Sequence, residues 1–158
     1  MLREPVTAYV GLGANLGDPA AAVRQALTDL GHLPHTRLLA ASDLYRTAPH
    51  EAEGPDFINA VAAVQTHLTA PDLLAALQGL EQAAGRERPW HHAPRTLDLD
   101  LLIYGDARID SPALTVPHPR WTQRAFVLVP LAQVAPQCVT PEQLSAVAMQ
   151  PLVRWDGR

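Results

Sequence analysis

Arg95-Thr96-Leu97-Asp98-Leu99-Asp100-Leu101-Leu102-Ile103 sets two aspartates two residues apart inside a run of leucines. Extended backbone sends alternate side chains to one face, so a strand here carries Asp98 and Asp100 together, their Cα atoms roughly 6 to 7 Å apart. Leu97, Leu99 and Leu101 then fill the opposite face. Two carboxylates held on a half-buried strand repel each other and are costly to strip of water unless a cation neutralises them. The stretch therefore reads as a metal platform. Oxygen-only ligands favour Mg²⁺, which keeps several waters and draws its remaining ligands from substrate phosphates.

The segments around this strand alternate between extended and helical patterns. Val6 to Leu12 reads as a buried strand running into the glycine turn Gly11-Leu12-Gly13-Ala14-Asn15-Leu16-Gly17. Asp18 and Pro19 then open a helix whose apolar face is Val23, Leu27 and Leu30, ending at Gly31. The glycine spacing is Gly-x-Gly-x-x-x-Gly, which departs from the dinucleotide-binding fingerprint and favours a plain tight turn. Thr36 to Thr47 is one long extended segment. Phe57 to Thr66 follows as its antiparallel neighbour, with Phe57, Asn59, Val61 and Ala63 on one face. Thr69-Ala70-Pro71-Asp72 has capping-box spacing and starts a helix through Leu73, Leu77, Leu80 and Ala84, stopped by Gly85. After the Asp-bearing strand come a turn or hairpin at Ile109-Asp110-Ser111-Pro112, a Pro-bounded stretch from Leu114 to Arg120, a helix from Phe126 to Val134 that contains Pro130, and a short helix from Glu142 to Ala148. Several connections are too short for parallel crossovers. The expected class is α+β, a largely antiparallel sheet covered by helices.

A length of 158 residues suits one core, and a single domain over 1–158 is expected. All 12 cationic side chains are Arg, with no Lys in the chain. This excludes a Walker-type phosphate lysine, a kinase strand lysine and Schiff-base chemistry. Phosphate handling must rest on Arg, backbone amides and metal, and the Arg fork matches phosphate oxygens. Arg86, Arg88, His91, His92 and Arg95 precede the Asp pair, and His118, Arg120 and Arg124 follow it. A net charge of -4 argues against nucleic acid as a partner. No apolar run is long enough to span a bilayer, and the start of the chain lacks a secretory pattern, so no membrane partner is expected. Cys138 is the lone cysteine, which suits a reducing compartment, and a cytoplasmic location is expected. His32, His35, His50, His67 and His91 lack zinc-ligand spacing with Cys.

Several of these stretches fall together into one pattern. Gly11 to Gly17, Leu44-Tyr45-Arg46-Thr47-Ala48-Pro49, Pro55-Asp56-Phe57-Ile58-Asn59-Ala60, Gly85-Arg86-Glu87-Arg88, Pro94 to Asp100 and Leu114-Thr115-Val116-Pro117-His118-Pro119 resemble, in order and spacing, the 6-hydroxymethyl-7,8-dihydropterin pyrophosphokinase family of folate biosynthesis. The resemblance runs from about Val6 to Pro136. It implies a ferredoxin-like α+β fold and transfer of pyrophosphate from ATP to the hydroxymethyl group of 6-hydroxymethyl-7,8-dihydropterin, releasing AMP. On matching positions it implies that Asp98 and Asp100 hold two Mg²⁺ ions bridging the ATP phosphates. Phe57 and Phe126 would sandwich the pterin, with Asn59 and the backbone around Thr47 reading its polar edge. Arg86, Arg95, His118 and Arg124 would contact the triphosphate, Arg86 and Arg95 acting in catalysis and Arg88 as a mobile helper. Gln78, Leu101 and Thr115 would surround the nucleoside, and the protein would act as a monomer. The chain departs from the family pattern in a loop shortened by about one residue between Arg88 and Arg95, in His92 standing for a Trp, and in Pro119 where an aromatic is sometimes found.

Two other readings stay open at this level. A metal-dependent phosphohydrolase would hold its metal with Asp98, Asp100 and His118 and use water as nucleophile. A non-catalytic ferredoxin-like module would use Phe57, Asn59 and Arg95 to hold a small anion.

Overall fold

The protein is described by a computed structural model covering residues 3–48, 55–85 and 97–156. Strand β1 (Val6–Ala14) pairs antiparallel along its whole length with β4 (Phe57–Thr66), from Val6 opposite Thr66 to Ala14 opposite Ile58. On its other side β1 pairs with β5 (Asp98–Tyr104). The far side of β4 is shared by two short strands in succession, β2 (Thr36–Ala41) and β3 (Tyr45–Thr47). A terminal strand, β8 (Val153–Arg154), adds to β3. The sheet order is β5-β1-β4-β3-β8, and β2 also pairs with β4. All of these pairings are antiparallel, in agreement with the expected α+β class, and the fold is ferredoxin-like.

The extended segment expected over Thr36 to Thr47 is interrupted. Ser42 stands between β2 and β3, its N–H donating to the Val61 carbonyl and its Oγ accepting from the Val61 N–H. The hydroxyl thus stands in for a ladder carbonyl. Strand β1 also runs further than expected: Gly11 and Gly13 lie inside it, and the turn belongs to residues 15–18, where Gly17 has φ of 63°.

Period-2 alternation divides the sheet into two faces. Ala8, Val10, Leu12 and Ala14 of β1, Ala60, Ala62 and Val64 of β4, and Leu99 and Leu101 of β5 form one buried layer. It packs on α1 (Pro19–Leu30) through Val23, Ala26 and Leu30, and on α2 (Ala70–Ala83) through Leu73 and Leu77. Each such leucine contributes roughly 1.5 to 3 kcal/mol by leaving water. Both helices start as their sequences dictate, with Asp18 Oδ1 accepting from the Ala21 N–H and Thr69 Oγ1 from the Asp72 N–H.

The opposite face carries Tyr9, Val61, Ala63 and Leu102 against α3 (Ala125–Val134), mainly Leu128 and Leu131. A bulge in β5, between the pairs Tyr9/Ile103 and Val10/Leu101, turns both Leu102 and Ile103 toward α3. Pro130 lies inside α3 and is accommodated there. Beyond β5, the expected hairpin is the ribbon β6 (Ile109–Asp110) and β7 (Thr115–Val116), followed by a cis Val116–Pro117 bond. The last helix, α4 (Pro141–Ala146), is shorter than expected and opens with a capping box between Thr140 and Gln143. Among the described residues no helix is long and apolar enough to cross a membrane.

Candidate active site

Register brings the candidate residues into rows on the α3 side of the sheet. Asp98 on β5 lies opposite Gly13 on β1, Gly13 opposite Asn59 on β4, and Asn59 opposite Tyr45 on β3. The next row is Asp100, Gly11 and Val61. Directly paired residues project to one face, so two half-buried carboxylates and a buried amide share a surface separated only by glycines. The expectation that Asp98 and Asp100 oppose a leucine face holds: Leu97, Leu99 and Leu101 are buried beneath.

Asn59 is 5% exposed, and its Nδ2 donates to Thr47 Oγ1 at 2.8 Å. This bond fixes the amide plane, with Oδ1 on the Gly13 side. A Cβ at residue 13 would stand 3.1 Å from Asn59 Oδ1 and 3.7 Å from the Phe57 ring. Crowding is what favours glycine here, since the strand conformation itself suits any residue and a Cβ would press on the Asn59 amide by a few tenths of an ångström. Asn15, also buried, donates from Nδ2 to the Pro55 carbonyl at 3.1 Å and so ties the end of β1 to the approach to Phe57.

His118 docks on the outer edge of β5, its N–H donating to the Leu102 carbonyl at 2.8 Å. Burial pushes its imidazole below the usual range; the Arg124 and Arg120 charges push the same way, and Asp98 opposes them. His118 Nδ1 accepts from the Arg120 N–H, which leaves Nε2 as the protonated nitrogen of the neutral ring. The Arg124 guanidinium lies 5.5 Å from the centre of the Phe126 ring. Cation, imidazole, aromatic ring and carboxylate are therefore neighbours, although Phe126 and Asp98 come from distant parts of the sequence.

Other expected residues sit as follows. Thr115, with Val116, Pro117 and Pro119, lines a groove of about 490 Å³ across from Arg108, Ile109 and Asp110. The Leu101 side chain is buried in the core, so any contact it makes with a nucleoside is through its backbone. Gln78 is exposed on α2, three residues before Glu81. Arg86, Arg88 and Arg95 lie outside the described residues. Among the described residues, no group of three or more His, Cys, Asp or Glu side chains could hold a metal. Asp98 and Asp100 remain as paired oxygen donors, a set that suits a hard cation taking its other ligands from water and phosphate.

Residues 9–136 match the family described as 7,8-dihydro-6-hydroxymethylpterin-pyrophosphokinase (HPPK). The chain belongs to this family. A 2-amino-4-hydroxy-6-hydroxymethyldihydropteridine pyrophosphokinase from Pseudomonas aeruginosa is 47% identical over 135 residues, covering 85% of this chain and 83% of that protein. Its namesake from Haemophilus influenzae is 40% identical over 137 residues, with 86% of each covered. Among solved structures, the wild-type HPPK-DHPS of Plasmodium falciparum with pterin and p-hydroxybenzoate superposes with a TM-score of 0.69 at 14% identity. That match covers 92% of this chain and 44% of the Plasmodium chain, and it speaks to the fold alone.

Two residues beside the candidate site are not legible as such in the sequence. Gly13 looked like part of a turn, because glycine-rich spacing does not reveal that a strand passes through it. Glu81 was hidden on the apolar stripe of α2, although an acid at i+4 from Leu77 was the available signal. It is 4% exposed, and its Oε2 accepts from the Leu99 N–H at 2.8 Å.

Proposed function

We infer that this chain transfers pyrophosphate from ATP to the hydroxymethyl group of 6-hydroxymethyl-7,8-dihydropterin, releasing AMP, in folate biosynthesis. The observation that carries the reading is the row Asp98, Gly13, Asn59. It sets anionic oxygens, suited to a metal and phosphates, in one row with a buried amide suited to a heterocycle, with only the backbone of Gly13 between them. Phe57 and Phe126 supply the flat faces for a pterin ring. Asn59, held by Thr47, presents a fixed hydrogen-bonding edge.

In the reaction the substrate hydroxyl oxygen attacks the β-phosphorus and gives up its proton to water, the bond from that phosphorus to the α-β bridging oxygen breaks, and AMP departs. Such transfers depend on in-line positioning and charge neutralisation more than on covalent help from the protein. Asp98 and Asp100 would hold two Mg²⁺ ions. Bound there, Mg²⁺ neutralises phosphate charge and lowers the pKa of the attacking hydroxyl. His118 contributes a neutral N–H donor, and Arg124 a cation, to the triphosphate. Arg86 and Arg95 are assigned to charge stabilisation on the leaving side, with Arg88 assisting, and Gln78, Leu101 and Thr115 to the nucleoside. We take the protein to be a single-domain monomer of the cytoplasm.

Incubation with ATP, Mg²⁺ and the dihydropterin is expected to yield AMP in step with a pyrophosphorylated pterin. ADP or free phosphate instead would overturn the reading. Asp98→Ala and Asp100→Ala are each expected to lose far more turnover than pterin affinity, and unchanged turnover in either would remove the metal assignment.

A further inference from the structure

A buried acid beside the Asp pair has no part in the chemistry described so far. Glu81 belongs to the last turn of α2 and is withdrawn from water. Its Oε2 accepts the Leu99 N–H at 2.8 Å. Leu99 stands between Asp98 and Asp100, on the terminal strand of the sheet. On that strand the Leu99 N–H points away from β1, so no strand among the described residues receives it. A buried donor left unmade costs about 1 to 3 kcal/mol, and a carboxylate acceptor makes a bond roughly twice as strong as a neutral one.

We propose that Glu81 is a positioning residue for the metal site, gripping the backbone midway between Asp98 and Asp100 so that both carboxylates project at a fixed pitch. A strand tethered on one side only can twist about its own axis, and a twist at residue 99 swings its two neighbours in concert. Glu81 supplies a tether on the other side at residue 99 itself, as the His118 N–H does at Leu102. It acts through the backbone and from the opposite side of the sheet, because α2 packs under the leucine face. The proposal rests on Asp98 and Asp100 being the metal ligands.

The test uses Glu81→Leu, which removes the acceptor, and Glu81→Gln, which keeps an uncharged one. The readouts are Mn²⁺ affinity, titrated by paramagnetic resonance with a non-hydrolysable ATP analogue and no pterin, and exchange of the Leu99 amide in the ligand-free protein. Partners that orient metal ligands typically affect affinity 10- to 100-fold. Glu81→Leu is therefore expected to weaken Mn²⁺ binding about tenfold or more, and Glu81→Gln about threefold, with Leu99 exchange accelerating in the same order. Should Glu81→Leu not fold, Glu81→Gln decides. Faster Leu99 exchange with wild-type Mn²⁺ affinity overturns the proposal, as does a lowered melting temperature with neither readout changed. Asp98→Asn separates the two layers of argument. If it leaves Mn²⁺ affinity intact, the metal assignment fails; if it weakens binding while the Glu81 variants do not, only the role of Glu81 fails.

Discussion

At Gly13 a single missing methyl decides what the neighbouring row can hold. With Asn59 Oδ1 only 3.1 Å from where a Cβ would stand, alanine must push the amide or strain the strand. Overpacking of this kind costs about 1 to 3 kcal/mol. Gly13→Ala is expected to weaken pterin binding roughly tenfold, with nucleotide affinity unchanged, as read by calorimetric titration of each ligand. His118 makes a different prediction, through pH. Its folded-state pKa is held below the ordinary 6.5, so the unfolded chain takes up a proton first as pH falls. Its contribution to stability is present above 6.5 and is lost as pH drops through the folded value. In metal-free protein, His118→Gln is expected to flatten the fall of melting temperature below pH 6.5, and an unaltered pH slope would contradict this.

Among elements, β3 is the one whose position depends most on side chains. It is three residues long, yet it carries Thr47. Gln133 of α3 accepts from the Asp43 N–H and the Tyr45 hydroxyl and donates to Asp43 Oδ2, while Arg154 of β8 reaches the same Asp43 oxygen at 3.1 Å. Gln133→Ala removes three of these links at once. It is expected to lower stability by about 1 to 2 kcal/mol in urea titration and to raise the pterin KM severalfold through a looser Thr47–Asn59 pair, with the ATP KM unchanged. The split of Thr36 to Thr47 into β2 and β3 shows why such an element is hard to read from sequence. Every residue of that stretch is compatible with extended backbone, and only Val61, distant in the chain, reveals that Ser42 replaces a ladder group.

At the scale of the whole molecule, the antiparallel α+β class follows from connection lengths, and the facing of Asp98 and Asp100 follows from period 2 alone. The Phe57, Asn59, Val61, Ala63 face was legible for the same reason. What periodicity cannot give is register across strands. The apposition of Asp98, Gly13 and Asn59 depends on the pairing of three strands, and the Glu81 bond depends on how α2 sits against a strand end. Composition misleads at both places: glycine suggests a turn, and an acid on a helix suggests solvent. Sheet termini raise a further issue, that of self-association. An unoccupied strand edge invites another chain to add to it. Among the described residues β5 ends the sheet, and two of its outer groups are taken up, by a carboxylate at Leu99 and by the His118 backbone at Leu102. The charges of Asp98 and Asp100 stand beside them. A variant carrying both Asp98→Asn and Asp100→Asn is expected to scatter more light on concentration than the parent does, with retained circular dichroism. The groups assigned here to catalysis would then also be the ones that keep one molecule from stacking on the next.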